Sequence, residues 1–141
     1  LLDNVQAPGN VGTMIRTADA AGFTGVFLGE GTADIYNLKT LRSMQGSHFH
    51  IEIQNGTIQD ICQVFKEAGI PVYGSELNEQ AVAYDTVEKT DQVALIMGNE
   101  GQGVAKEILA QTDANLYIPI YGKAESLNVG IAAGILMYHF S

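Results

Sequence analysis

Three observations on the sequence predict an α/β fold, a mostly parallel sheet flanked by helices. Short apolar runs, among them Gly25-Val26-Phe27-Leu28-Gly29, Pro71-Val72-Tyr73-Gly74 and Val93 to Met97, alternate with segments of helical period. These runs stop in glycine, and open α/β sheets place their ligand loops at that carboxyl edge. A length of 141 residues, 46% of them hydrophobic, suffices for one domain with a single good core.

Taken in order, Leu1-Leu2 reads as the tail of a strand already under way. The expected organisation is therefore one domain over residues 1–141, a fragment of a longer protein. Asn10 to Ala21 reads as a helix ending at Gly22, with Asn10 well suited to cap it. Gly25 to Gly29 follows as a buried strand, then a loop from Gly31 to Asn37 and a short helix over Leu38 to Met44. His50-Ile51-Glu52-Ile53 alternates as a strand. Thr57 and Asp60 mark a helix start, and Ile58, Ile61, Cys62 and Phe65 form an apolar stripe that stops at Gly69. Pro71 to Gly74 is the next strand. Glu76 to Asp91 is acidic and without period, a loop with a short helical piece. Val93 to Met97 is a central strand, Val104 to Gln111 a helix, Leu116 to Ile118 a strand and Leu127 to Phe140 a closing helix.

That closing helix is apolar nearly all round, so it needs cover on more than one side. Gly130, Ala132, Ala133 and Gly134 would let another backbone approach closely. Either it is sandwiched within the domain or one side meets a second subunit; a homodimer is the expectation.

The net charge of −9 argues against broad affinity for nucleic acid, which needs a basic face. The seven cations are unevenly spread, however. Arg16, Lys39, Arg42 and Lys123 fall in or beside glycine- and asparagine-rich segments, whereas Lys66, Lys89 and Lys106 lie elsewhere. Cys62 is the single cysteine, which excludes an internal disulfide and a thiolate zinc cluster. His48, His50 and His139 lack a set of acidic or cysteine partners at metal-ligand spacing. No apolar run approaches the roughly 20 residues needed to span a bilayer, and the expected compartment is the cytoplasm.

Three polar segments carry the candidate chemistry: Asn10-Val11-Gly12-Thr13-Met14-Ile15-Arg16, Gly98-Asn99-Glu100-Gly101-Gln102-Gly103, and Ile118-Pro119-Ile120 with Ser126-Leu127-Asn128. Singly, each residue has a structural explanation. Asn10 and Ser126 can cap helices, Arg16 can be a surface cation or pair with Asp19 or Asp3, and glycines after a strand can be a tight turn. Asn128 just inside a helix is a mediocre helix former and needs a polar partner. Gly98, Gly101 and Gly103 do not give the spacing of a dinucleotide fingerprint. Glu100 between glycines is the exception, because a loop that needs only flexibility has no use for a carboxylate.

In this order and spacing the three segments resemble the motifs of the SpoU (TrmH) family of RNA ribose 2′-O-methyltransferases, within the SPOUT superfamily. The resemblance runs along essentially the whole chain. It includes Asp34 to Ser47, which is similar to the family's Lys/Arg-rich loop and helix. It implies methyl transfer from S-adenosylmethionine to a ribose 2′-hydroxyl of rRNA or tRNA, a C-terminal trefoil knot that holds the cofactor, and a dimer. It also implies that a small N-terminal RNA-binding domain carried by many members is missing here.

By the family pattern Gly98, Ile118 and Leu127 contact the cofactor, largely through main chain, joined by Gly74 and Ser75. Arg16 positions a phosphate and the 2′-hydroxyl or assists its deprotonation, in its own site or the partner subunit's. A guanidinium is a poor base at its normal pKa, which favours positioning. Asn10 and Asn128 would orient the ribose or Arg16, Glu100 would hold the polar cluster, and Ser126 would hydrogen-bond in the same site. Lys39, Arg42 and Lys123, with Arg16, would bind RNA. No metal is needed, since the sulfonium is already an activated donor. Two competing readings are a catalytically silent RNA-binding or regulatory module of the same fold and an unrelated nucleotide-binding α/β oxidoreductase.

Overall fold

The computed structural model describes residues 1–141, apart from the side chain of Phe49. Six strands and five helices follow in the order α1 (Pro8–Ala20), β1 (Gly25–Leu28), α2 (Leu38–Met44), β2 (Glu52–Asn55), α3 (Ile58–Glu67), β3 (Val72–Ser75), β4 (Val82–Ala83), β5 (Ala94–Ile96), α4 (Lys106–Leu109), β6 (Ala114–Tyr117) and α5 (Val129–Phe140), alternating except at β3 to β5. Every strand pairing is parallel, β1 with β2 in one ladder and β4-β6-β3-β5 in the other. Leu2 bridges both ladders, parallel to Leu28 on one side and Met97 on the other. Its amide donates to Phe27 O at 2.9 Å and its carbonyl accepts from Gly29 at 2.8 Å, while Leu1 O accepts from Met97 at 2.8 Å. Leu1-Leu2 thus joins the halves into one order, β2-β1-Leu2-β5-β3-β6-β4, with β5 at the centre as expected.

Alternation along the strands divides the interior into two layers. On β5, Leu95 faces the core of α1, α2 and α5, with Met14, Ile15, Met44, Leu136 and Phe140. Ala94 and Ile96 face the other layer, with Ile58 and Cys62 of α3 and Ile108 of α4. Tyr73 of β3 stacks on Phe140 at 5.6 Å, and Phe27 of β1 meets Phe65 edge-on at 6.0 Å. No described helix is long and apolar enough to cross a membrane.

Several local expectations shift. The strand expected over His50 to Ile53 lies at Glu52–Asn55, because Ser47–Phe49 forms a 3-10 turn that His50 ends, its N–H donating to Ser47 O at 2.9 Å. His50 instead pairs with Asp19 at 3.5 Å, the carboxylate considered for Arg16. The acidic segment after Glu76 contains a two-residue edge strand, β4, followed by a 3-10 turn at Tyr84–Thr86. The helix expected from Val104 is short, running Lys106–Leu109, since Val104 and Ala105 are committed to Glu76 and Asp3: Val104 N–H donates to Glu76 Oε2 at 3.3 Å and Ala105 N–H to Asp3 Oδ2 at 2.8 Å.

Candidate active site

Glycine sets how closely the helices that carry the polar segments approach each other. α1 begins earlier than expected, at Pro8, whose fixed φ and missing N–H suit a first helical position. Ala7 is the N-cap, so Asn10 stands inside the first turn and its side chain is released from capping. Four helical positions beyond Pro8, a Cβ at Gly12 would fall 2.6 Å from Thr40 O and against Ser43, so only glycine lets α2 lie this close to α1. On the opposite side, Cβ atoms added at Gly130 and Gly134 of α5 would meet Thr13 and Thr17 at 3.6 and 3.5 Å. The small residues read as approach points for another backbone serve α1 of the same chain.

Asn10 uses its freed amide at the carboxyl edge of the sheet. The loop after β5 is closed by reciprocal main-chain bonds, Asn99 N to Gly103 O at 3.0 Å and Gly103 N to Asn99 O at 2.9 Å. Asn99 Oδ1 accepts from the amides of Gly101 and Gln102, and its Nδ2 donates to Asn4 O at 2.9 Å. Gly98 is buried there, with no room for a Cβ against Gly103 and Val104. So held, Glu100 accepts from the N–H groups of Gln6 at 3.1 Å and Ala7 at 2.8 Å, at the start of α1. Its Oε2 also accepts from Asn10 Nδ2 at 3.1 Å, and Asn10 Oδ1 accepts from Asn128 Nδ2 at 3.2 Å. Asn128 Oδ1 in turn accepts from Gly130 and Ile131 at 2.8 and 3.2 Å, capping α5. Asn128 is therefore the N-cap, not the first residue inside the helix, and Ser126 is not the cap.

The direction of this chain is fixed at both ends. A carboxylate accepts, so Asn10 turns its nitrogen to Glu100; helix amides donate, so Asn128 turns its oxygen to them. The remaining oxygen of Asn10 and nitrogen of Asn128 then match. Partial burial acts most strongly on the Glu100 carboxyl and pushes its pKa upward. The hydrogen bonds from Ala7, Asn10, its own amide and Gln6 outweigh it and hold the group below its ordinary 4.5.

Three of the five residues expected to be catalytic, Asn10, Glu100 and Asn128, are thus brought together. Arg16 is not in that chain: it lies six residues past Asn10, about 9 Å further along α1 and roughly 240° around it. Its side chain is exposed and pairs with neither Asp19 nor Asp3. Ser126, Lys123 and Leu127 stand exposed on the loop leading to Asn128, Lys39 and Arg42 exposed on α2. Among the described residues, no lysine or arginine makes an ion pair, although the chain has 16 acidic side chains.

The expected main-chain contacts Gly74 and Ser75 end β3, Gly98 lies two residues past β5 and Ile118 follows β6, so they line adjacent strand ends. Glu76 ties these ends together, its N–H donating to Leu116 O at 3.2 Å while its carboxylate holds Val104. From Pro119 to Leu127, outside the ladders and helices, no main-chain hydrogen bond forms among the described residues. Sequence reading missed Asn99 and Glu76 as organisers of this edge. For Asn99 a signal existed, since Asn two residues before Gly is suited to accept from following amides; for Glu76, in a polar stretch without period, none did.

A parallel α/β sheet whose carboxyl edge carries three convergent polar loops defines the class. The model of the SpoU rRNA methylase family matches residues 1–138, and the chain belongs to that family. It is 55% identical over 139 residues to the 23S rRNA (guanosine(2553)-2′-O)-methyltransferase RlmP of Bacillus subtilis (strain 168), covering 99% of this chain and 56% of that protein. To the tRNA (guanosine(18)-2′-O)-methyltransferase of Aquifex aeolicus (strain VF5) it is 35% identical, covering 96% of this chain and 64% of the relative. An AdoMet-bound rRNA methyltransferase from Sinorhizobium meliloti superposes with a TM-score of 0.91 at 41% identity, over 98% of this chain and 53% of that one. The chain spans little more than half the length of these proteins.

Proposed function

We propose that this chain is the catalytic domain, over residues 1–141, of an S-adenosylmethionine-dependent methyltransferase acting on a ribose 2′-hydroxyl of rRNA or tRNA. The observation that carries the reading is the hydrogen-bonded chain Glu100–Asn10–Asn128 beside strand ends rich in open main chain. S-adenosylmethionine fits that edge: the open main chain of 119–127, with Gly74, Ser75 and Gly98, suits the edges of an adenine, where side chains would obstruct. Bound, it supplies a methyl group on a sulfonium leaving group.

The protein's own residues then have to align and discharge the hydroxyl. In the transfer a carbon–sulfur bond breaks and the neutral thioether leaves, a carbon–oxygen bond forms, and the hydroxyl proton passes to solvent water. Arg16, exposed and unpaired, holds a phosphate and the 2′-oxygen by charge and hydrogen bonding rather than by taking the proton. Because it leaves α1 on a different side from Asn10, it serves the site of a second subunit. Ile131 and Tyr138 are the exposed large apolar residues of α5, and with Leu127 on the loop before it they give the surface for such a homodimer. Lys39, Arg42 and Lys123 guide the RNA, and Ser126 hydrogen-bonds within the site. The C-terminal loop and α5 are threaded as the family's trefoil knot, and the protein works without metal in the cytoplasm.

Replacing Arg16 by Ala abolishes methyl transfer while cofactor affinity stays nearly intact, measured by tritium transfer to RNA ribose and by calorimetry. Cofactor binding lost with turnover retained would overturn the assignment. RNA binding with no transfer by the wild-type protein would instead support the silent-module reading.

A further inference from the structure

Tyr36 sits just before α2 and is 75% exposed, followed by Leu38 at 60%. A solitary exposed tyrosine needs no explanation, but this one is held by a built turn. Its N–H donates to Asp34 Oδ1 at 2.9 Å, and Asn37 N–H donates to Asp34 O at 3.1 Å. Asn37 Oδ1 then caps α2 by accepting from Lys39 N–H at 2.9 Å. α2 itself is pinned by the contact at Gly12 and by Thr40, which is wholly buried. The backbone that carries the ring is therefore fixed before any partner arrives.

Lys39 and Arg42 follow one turn apart, on one side of α2, both exposed and neither in an ion pair. A fixed aromatic face with two unpaired cations at this spacing matches single-stranded RNA: a base stacks on the ring while neighbouring phosphates meet the cations. A duplex fits it poorly, since paired bases expose no face. The net charge of −9 makes such a local patch necessary, because the rest of the surface repels a polyanion.

We propose that Tyr36, Lys39 and Arg42 form a docking surface for single-stranded RNA, in which an unpaired nucleobase stacks on Tyr36. This rests on the ribose-methylation reading and adds to it that the target nucleotide lies in or beside an unpaired segment.

The sequence contains no tryptophan, so Tyr36→Trp gives the full chain one reporter at this position. The probe is a non-self-complementary single-stranded RNA of about 12 nucleotides, compared with a blunt RNA duplex of the same length. The single strand should quench Tyr36→Trp emission, and the duplex should do so far less. Val64→Trp, at a 62% exposed position on α3 in the other layer, should not respond. Tyr36→Ala should weaken single-strand binding roughly 5- to 150-fold, whereas Tyr36→Phe stays within about twofold, as stacking without a hydroxyl contact requires. Lys39→Ala should lower the salt dependence of log K by about one phosphate contact.

Unchanged Tyr36→Trp emission on a bound strand, unchanged affinity of Tyr36→Ala, equal response to the duplex, or no binding of the strand would each overturn the proposal. A tritium assay reads the parent claim separately. Transfer that persists while the stacking tests fail removes this surface alone; absence of transfer by the wild-type chain removes the ribose-methylation reading.

Discussion

The two helical layers of this protein are built on different rules. On one face α3 is an ordinary amphipathic helix, with Ile58 and Cys62 buried and Val64 and Lys66 in solvent. On the other, α1 lies between α2 and α5, and its contact with α2 is set by an absent side chain at Gly12. The polar chain from Glu100 to Asn128 runs through this second layer. Apolar burial tolerates small errors, whereas close backbone approach does not, so the layer that carries the site is also the one least able to vary.

Substitutions should separate the layers sharply. Gly12→Val drives a branched side chain into the Thr40 carbonyl and should cost about 3 kcal/mol or prevent folding, read from the urea midpoint. Val64→Ala on α3 should stay within about 0.5 kcal/mol. Equal costs would dissolve the contrast.

Asn128→Ala removes the cap of α5 and the partner of Asn10 together, for about 1–2 kcal/mol. Asn128→Asp keeps an acceptor for the helix amides but sets a carboxylate oxygen against Asn10 Oδ1. It should retain most of the stability while turning Asn10 away, visible as a changed amide resonance of Asn10. Thr40→Val should go the other way: Thr40 Oγ1 is buried with no hydrogen-bond partner, so its removal should stabilise the α1–α2 contact by about 1 kcal/mol.

The smallest effect is electrostatic. Because the Glu100 pKa is lower folded than unfolded, its contribution is complete above about 4.5 and fades as pH falls through the folded value. Protection of the Gln6 and Ala7 amides against exchange should therefore fall under acid before that of α3 does, and Glu100→Gln should flatten that dependence.

Legibility in the sequence followed the same division. The stripe Ile58, Ile61, Cys62 and Phe65 marked α3 because one face buries and the other does not, and Leu38–Met44 was read to the residue. The apolar roundness of α5 signalled a helix covered on several sides, but not that its glycines meet Thr13 and Thr17. Capping was misread at two members of the polar chain, Asn10 and Asn128. A local pattern cannot tell that Pro8 already starts α1, freeing Asn10 for a residue 90 positions away. The two-residue strand β4 carries too few side chains to show any period. Of the candidate site, the residues were readable as motif positions, while their pairing, and the separation of Arg16 from it, required the fold.

The seam at Leu2 has a kinetic side. The bonds that complete the sheet and the site span most of the chain: 94 residues from Leu1 to Leu95, 102 from Asp3 to Ala105, and 118 from Asn10 to Asn128. Closing such loops is entropically slow, and contacts of this separation form late. During synthesis, α1 must therefore wait, its polar side unmatched, until α5 has been made. Any factor that shields nascent segments would have a longer task at α1 than at α5.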